Sequence, residues 1–128
     1  MRIYIAAPLR RIEDARALAT LLHGARLDVA STWHRLAIAK PNGVHPDAAL
    51  TDAQCAGLAD TNRRDLATAD ACVMLFGHGR GHVHESGLAA GRGLAIVWVG
   101  DDAEWLLETA MLRGYPGMYR AARLDGAV

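Results

Sequence analysis

Residues Ala71-Cys72-Val73-Met74-Leu75-Phe76 form an unbroken apolar run that empties into a glycine- and histidine-rich stretch, Gly77 to His84, followed by Glu85-Ser86-Gly87-Leu88-Ala89. The apolar run reads as a strand, the glycines as a turn, and Glu85 to Ala89 as the first turn of a helix. Strand, turn and helix in that order make half of a βαβ unit. Open sheets built from such units bind small ligands just outside the carboxyl ends of their strands. Glu85 falls there, which makes it the residue placed to do chemistry. The helix dipole alone also favours a glutamate at a helix start, so a solvated Glu85 is the competing reading.

Working outward, the same alternation repeats. A strand over residues 2–6 leads through Ala7-Pro8-Leu9-Arg10 into a helix over 11–23, with Ile12, Ala15, Ala19 and Leu22 as its inward stripe and Gly24 as its stop. A second strand is expected near 26–32, running into Ser31-Thr32-Trp33-His34. Residues 35–50, with Pro41, Gly43 and Pro46, read as a long loop, which in a small domain tends to be functional. Thr51-Asp52-Ala53-Gln54 is a capping box that opens a helix to about Thr68. A third helix is expected over 83–91 and a strand over 94–99. Asp101 to Glu104 cap a fourth helix that stops at Gly114, and Met118 to Ala121 suit a short edge strand. The expectation is one domain over residues 1–128: an α/β three-layer sandwich with a parallel sheet of four or five strands in the order 2-1-3-4(-5).

Whole-chain numbers narrow the function. The 128 residues carry 14 basic and 14 acidic side chains, a formal net charge of zero. Binders of polymeric nucleic acid usually show a basic excess, so DNA or RNA is not the expected partner. No apolar run reaches bilayer length and the first residues read as a strand rather than a leader, so the expected location is cytoplasmic, with no membrane partner. Cys55 and Cys72 fall inside a predicted helix and strand and read as small buried apolar residues rather than a disulfide.

Several chemistries are disfavoured by their missing motifs. There is no GxxxxGK[ST], and the first strand-to-helix turn has no GxGxxG. Gly77, Gly79 and Gly81 follow the third strand instead, where they allow the backbone to approach a small ligand closely. His78, His82 and His84 beside Glu85 raise a metal-dependent hydrolase as a minor alternative, but no second cluster completes a zinc pattern. Histidines lining a substrate cleft are the preferred reading, and no metal or cofactor is expected. Ser86 lacks a GxSxG elbow. Carboxylates remain, and a pair of them is the usual apparatus for cleaving a glycosidic bond. Asp65 is the partner considered for Glu85. Its competing reading is an exposed helix aspartate beside Arg63 and Arg64. Trp33, following the second strand, is either a stacking surface for a base or a lid on the core. Arg10 and Arg11 flank a helix N-terminus suited to an anion, unless they simply oppose Glu13 and Asp14.

Four segments in order carry a resemblance: Ile3-Tyr4-Ile5-Ala6-Ala7-Pro8-Leu9, then Ser31-Thr32-Trp33, then Asn62 to Asp70, then Gly81-His82-Val83-His84-Glu85-Ser86-Gly87-Leu88-Ala89. Over about residues 2–100 the chain resembles the nucleoside 2-deoxyribosyltransferase family, which includes the 2'-deoxynucleoside 5'-monophosphate N-hydrolases. The resemblance implies a flavodoxin-like sheet, homodimers or larger assemblies, and no metal or organic cofactor. It implies Glu85 as nucleophile, Asp65 as the residue that protonates or positions the base, and Tyr4 as a contact of the nucleophile. The implied reaction is cleavage of the N-glycosidic bond of a 2'-deoxynucleoside or its 5'-monophosphate through a glutamyl-deoxyribosyl intermediate, with the sugar passing to another base or to water. Ala7, Pro8, Arg10, Trp33, Gly79, Gly81 and His82 complete the expected substrate-binding set, with Arg10 matching an arginine of the nucleotide hydrolases. The chain departs from the family at Gly79, where the transferases carry an acid and the hydrolases a serine, and at His84. The missing acid at Gly79, together with a C-terminal segment from Trp105 on that matches no family pattern, motivates the alternative of a non-catalytic nucleotide-binding or sensing module.

Overall fold

Five parallel strands lie in the order β2-β1-β3-β4-β5. They are β1 (Arg2–Ala6), β2 (Asp28–Val29), β3 (Ala71–Leu75), β4 (Ala95–Val99) and β5 (Met118–Ala121). The helices between them are α1 (Ile12–Gly24), α2 (Asp52–Ala67) and α3 (Gly81–Gly91). This is a computed structural model, and it describes residues 1–36, 50–75, 77, 81–100 and 116–121. The expected helix over 101–114, most of the 35–50 loop, and residues 78–80 lie outside the described residues. The expected sheet order is the observed one. Right-handed crossovers put α1 on one face of the sheet and α2 and α3 on the other.

The strands are apolar on both sides because both faces are covered. Ile3, Tyr4, Ile5 and Ala6 of β1 and Cys72, Val73, Met74 and Leu75 of β3 are all buried. The β1–β3 register sets Tyr4 beside Cys72, so both side chains emerge on the same face. Ile12, Ala15, Leu18, Ala19 and Leu22 form the buried stripe of α1, the expected stripe with Leu18 added.

Four expectations are corrected. First, β2 is far shorter than 26–32. Past Val29, side chains take over the ladder: Ile5 N–H donates to Ser31 Oγ at 3.1 Å and the Ile5 carbonyl accepts from Trp33 Nε1 at 2.7 Å. Both Ile5 backbone groups are thereby satisfied without a longer strand. Second, Gly24 is the last residue of α1, and the left-handed residue that ends it is Arg26, with φ 61°. Leu27 N–H reaches Leu22 O and Arg26 N–H reaches His23 O, the Schellman pattern, which usually carries glycine at Arg26's position. Third, α3 begins at Gly81 rather than near 83, so His82, expected in the turn before the helix, belongs to the helix's first turn. Fourth, Cys55 is exposed while Cys72 is buried. Only Leu66 of α2 is fully buried, so most of that helix, Cys55 included, faces outward.

The capping box is present as expected: Gln54 N–H donates to Thr51 Oγ1 and Thr51 N–H to Gln54 Oε1. Arg92 hydrogen-bonds the Leu66 carbonyl, tying the end of α3 to the end of α2. No helix among the described residues is long and apolar enough to cross a membrane.

Candidate active site

Glu85 sits one turn into α3, half-buried, where that helix packs against β1 and β3. Asn62 approaches from α2 and donates its Nδ2–H to Glu85 Oε1 at 3.0 Å. The Tyr4 hydroxyl comes from β1. It is fully buried and completes no hydrogen bond of good geometry among the described residues, yet it lies near enough to Glu85 for each group to perturb the other. The pair is a near contact that a small shift of either side chain would close.

Burial dominates the electrostatics. Loss of water around Glu85 pushes its carboxyl up to about 7, against the opposing pull of Tyr4 and Asn62, which stabilise the charged form. Burial, with the Glu85 charge next in size, raises the Tyr4 phenol well above its usual range and likewise the Cys72 thiol. Both therefore stay neutral at any physiological pH. Glu85 is the one member of the cluster that can change charge near neutrality, where a group can act as either base or acid.

Asp65 follows Asn62 by three residues, on the same face of α2. Its Oδ2 accepts from Thr32 N–H at 2.9 Å and from Thr32 Oγ1–H at 2.7 Å. These bonds tie α2 to the segment that follows β2. The Tyr4 phenol feels the charges of both Glu85 and Asp65, Glu85 the more strongly, so it lies within electrostatic reach of each. The group that touches Glu85 directly, however, is Asn62, which the sequence reading gave no role.

A cavity of about 300 Å³ opens beside Asp65's partner, lined by Thr32, Trp33, Leu36, Leu50, Gln54, Gly57, Leu58 and Thr61. Glu85, Asn62 and Asp65 are not among its lining residues. Trp33 lines this cavity with one edge, but only 3% of the residue is exposed and its indole N–H is committed to Ile5. Arg16 clamps the turn that carries Trp33, donating to His34 O at 2.7 Å and Leu36 O at 2.8 Å while pairing with Glu13.

The first strand-to-helix turn packs against the segment that leaves β3. Pro8 is buried and Ala7 half-buried. A Cβ added at Gly77 would meet Pro8 Cγ at 2.8 Å, a contact that forces one of the two turns to move. Gly77→Ala should therefore cost about 1–3 kcal/mol and lower turnover. Paired thermal melts and rate assays check this, and an unchanged Tm would show that the turns are free to part. Arg10 is exposed within a short 3₁₀ turn, Leu9–Arg11. Arg11 pairs with Asp14 at 2.8 Å, which is the opposing arrangement considered from sequence for that residue.

Gly79 and His78 lie outside the described residues. Gly81 starts α3 and His82 follows in its first turn, with no description of the His82 side chain; His84 is exposed. No group of three potential metal-ligating residues occurs among the described residues. Asn62 and Cys72 are the site neighbours that sequence reasoning missed. The Tyr4–Cys72 register becomes readable once strands 1 and 3 are set side by side, and Asn62 shares a helical face with Asp65.

No family model and no curated protein matches the sequence. The solved structure of the CMP N-glycosidase BcmB from Clostridium botulinum is similar in fold, with a TM-score of 0.61 over 98% of this chain and 93% of that one, at 13% sequence identity. The likeness extends to the five-stranded parallel α/β architecture.

Proposed function

We propose that this protein cleaves the N-glycosidic bond of a nucleoside or its 5'-monophosphate, with Glu85 as nucleophile. One observation carries the reading. A half-buried carboxylate, held by Asn62 and set beside the Tyr4 hydroxyl, is poised at the sheet position where this fold class binds small ligands. Its fold neighbour is an N-glycosidase of a nucleotide, which supports the same class of reaction.

In the first step Glu85 forms a bond to C1' as the C1'–N bond breaks, and Asp65 gives a proton to the departing base nitrogen. A departing base without that proton is a poor leaving group near neutral pH. In the second step water, or the nitrogen of another base, attacks C1'. The Glu85 ester is released and the proton returns to Asp65. Splitting one displacement into two is what a carboxylate nucleophile offers. The deoxyribosyl form of the intermediate, and passage of the sugar to a second base, follow from the family resemblance of the sequence. Only the ionised Glu85 attacks, so kcat/KM should climb with pH through an apparent value near 7.

Ribo- and deoxyribonucleosides and their 5'-monophosphates, incubated with and without acceptor bases and followed by release of free base, test the reading. Turnover of any substrate supports it, whereas binding without base release would favour the nucleotide-sensing alternative. Arg10, at the mouth of the first turn, is the group proposed to meet a 5'-phosphate. Preference for monophosphates that disappears in Arg10→Ala is the expected result.

Asp65→Asn separates two duties of that residue. An asparagine oxygen can still accept from Thr32 at Oδ1, so the fold should persist with a Tm within a few degrees of the parent. Proton delivery is lost, so base release should fall by about 10²–10⁴-fold. Near-parental turnover would confine Asp65 to holding Thr32.

A further inference from the structure

Asn62 is unusual in how little else it does. Its Nδ2 donates to Glu85 Oε1 at 3.0 Å, while its Oδ1 is buried and has no partner among the described residues. A structural asparagine normally uses both halves of its amide, because buried polar atoms left unpaired are unfavourable. Here the amide is placed by its bond to a carboxylate. An ionised carboxylate only accepts hydrogen bonds, so the amide must present its N–H side.

The position is fixed from both ends. Asn62 lies on α2, three residues before Asp65, whose two bonds from Thr32 tie the helix to the segment that follows β2. Leu66, one turn on, is buried and its carbonyl is bound by Arg92. The other end of the contact, Glu85, is carried on α3, and that same Arg92 directly follows the helix. These ties hold the two helices side by side and keep Asn62 within reach of Glu85.

We propose that Asn62 is the positioning residue for the nucleophile: its amide N–H fixes Glu85 Oε1 and favours the ionised carboxylate, leaving the other oxygen to face the reacting carbon. The term nucleophile rests on the function proposed above; the positioning itself does not. A neutral amide suits this role better than an acid. A second carboxylate at this contact would repel Glu85 or share a proton with it.

The groups facing Glu85 bear on its titration. From β1 comes Tyr4, and from β3 comes Cys72, both neutral. From α2 come Asn62 and, within reach of Tyr4, Asp65. On α3 itself, His84 is exposed. Among the described residues no cation contributes to the Glu85 shift. Asn62 and Tyr4 are thus the two groups that favour its charged form.

The test reads Glu85 directly, by carbon-13 NMR titration of its side-chain carboxyl in the ligand-free parent, Asn62→Ala and Asn62→Asp proteins, alongside pH–rate profiles. In Asn62→Ala the Glu85 midpoint should rise by about half a pH unit or more. The acidic limb of kcat/KM should rise by the same amount, with kcat falling at least about tenfold, KM changing little and Tm nearly unchanged. In Asn62→Asp the two carboxyls should titrate in two coupled steps, and activity should fall again on the alkaline side. A Glu85 midpoint unmoved in both variants would overturn the proposal even if the enzyme is active. A moved midpoint in a protein that turns over nothing would uphold the positioning and sink the glycosidase reading instead.

Discussion

Glu85→Gln should cut base release by about 10³-fold or more, because an amide cannot form the glycosyl ester and the water reaction left behind is slow. The fold should survive, since the new side chain keeps an oxygen where Asn62 donates. Stability gives a second readout with a definite sign. In the unfolded chain the Glu85 carboxyl titrates near its ordinary 4.5, but in the fold it is pushed up to about 7. Between those values the folded state holds a proton that the unfolded state has lost. Stability therefore falls as pH rises through that window and stays lower above it. Glu85→Gln removes this penalty. Its Tm should exceed that of the parent at pH 8, and the difference should fade by about pH 4–5. Melting both proteins across that range checks the burial of Glu85 independently of any substrate. A gap that does not vary with pH would mean that Glu85 is fully solvated.

The largest stability effect is expected at Trp33. Trp33→Ala empties a nearly fully buried indole site and strips the Ile5 carbonyl of its donor. Replacing a buried Trp by Ala costs about 3–5 kcal/mol, a large share of the roughly 5–15 kcal/mol that holds such a domain together. Tm should drop by about 10–20 °C. Trp33→Phe keeps most of the packing but loses the N–H, so it should cost about 1–3 kcal/mol. Thermal or urea melts measure both. A base-stacking role would show differently: KM for the base-bearing substrate would rise steeply while Tm hardly moved. The committed indole N–H makes the stability loss the expected result, with the ring edge on the cavity adding a smaller effect on KM.

Much of the architecture was legible because the strands carry their own signal. The runs at 2–6, 71–76 and 94–99 are apolar without alternation, as strands covered on both faces must be, and the observed strands fall within them. Thr51 and Gln54 marked the start of α2 to the residue. The second strand was misjudged because local sequence does not reveal that Ser31 and Trp33 replace ladder bonds to Ile5. That substitution depends on a strand more than twenty residues away. The expected end of α1 falls within one residue of the observed one, but the residue that reverses the chain is Arg26 rather than Gly24, with an unfavourable but tolerated left-handed backbone. At the site, Glu85 stood out by its place after a strand. The contact between α2 and α3 did not, because it depends on the rotation of each helix about its axis. A capping box and an apolar pattern fix that angle only loosely. Asn62 and Asp65 lie three residues apart on one face, and a small rotation decides which of them meets Glu85.

Trapping the intermediate tests the central claim most directly. The parent protein, quenched with acid during turnover of a nucleoside or nucleotide substrate and digested, is analysed by peptide mass spectrometry. The account predicts a glycosyl adduct on the peptide containing Glu85, absent in Glu85→Gln. Steady release of base with no adduct at Glu85, or an adduct on another residue, would contradict it.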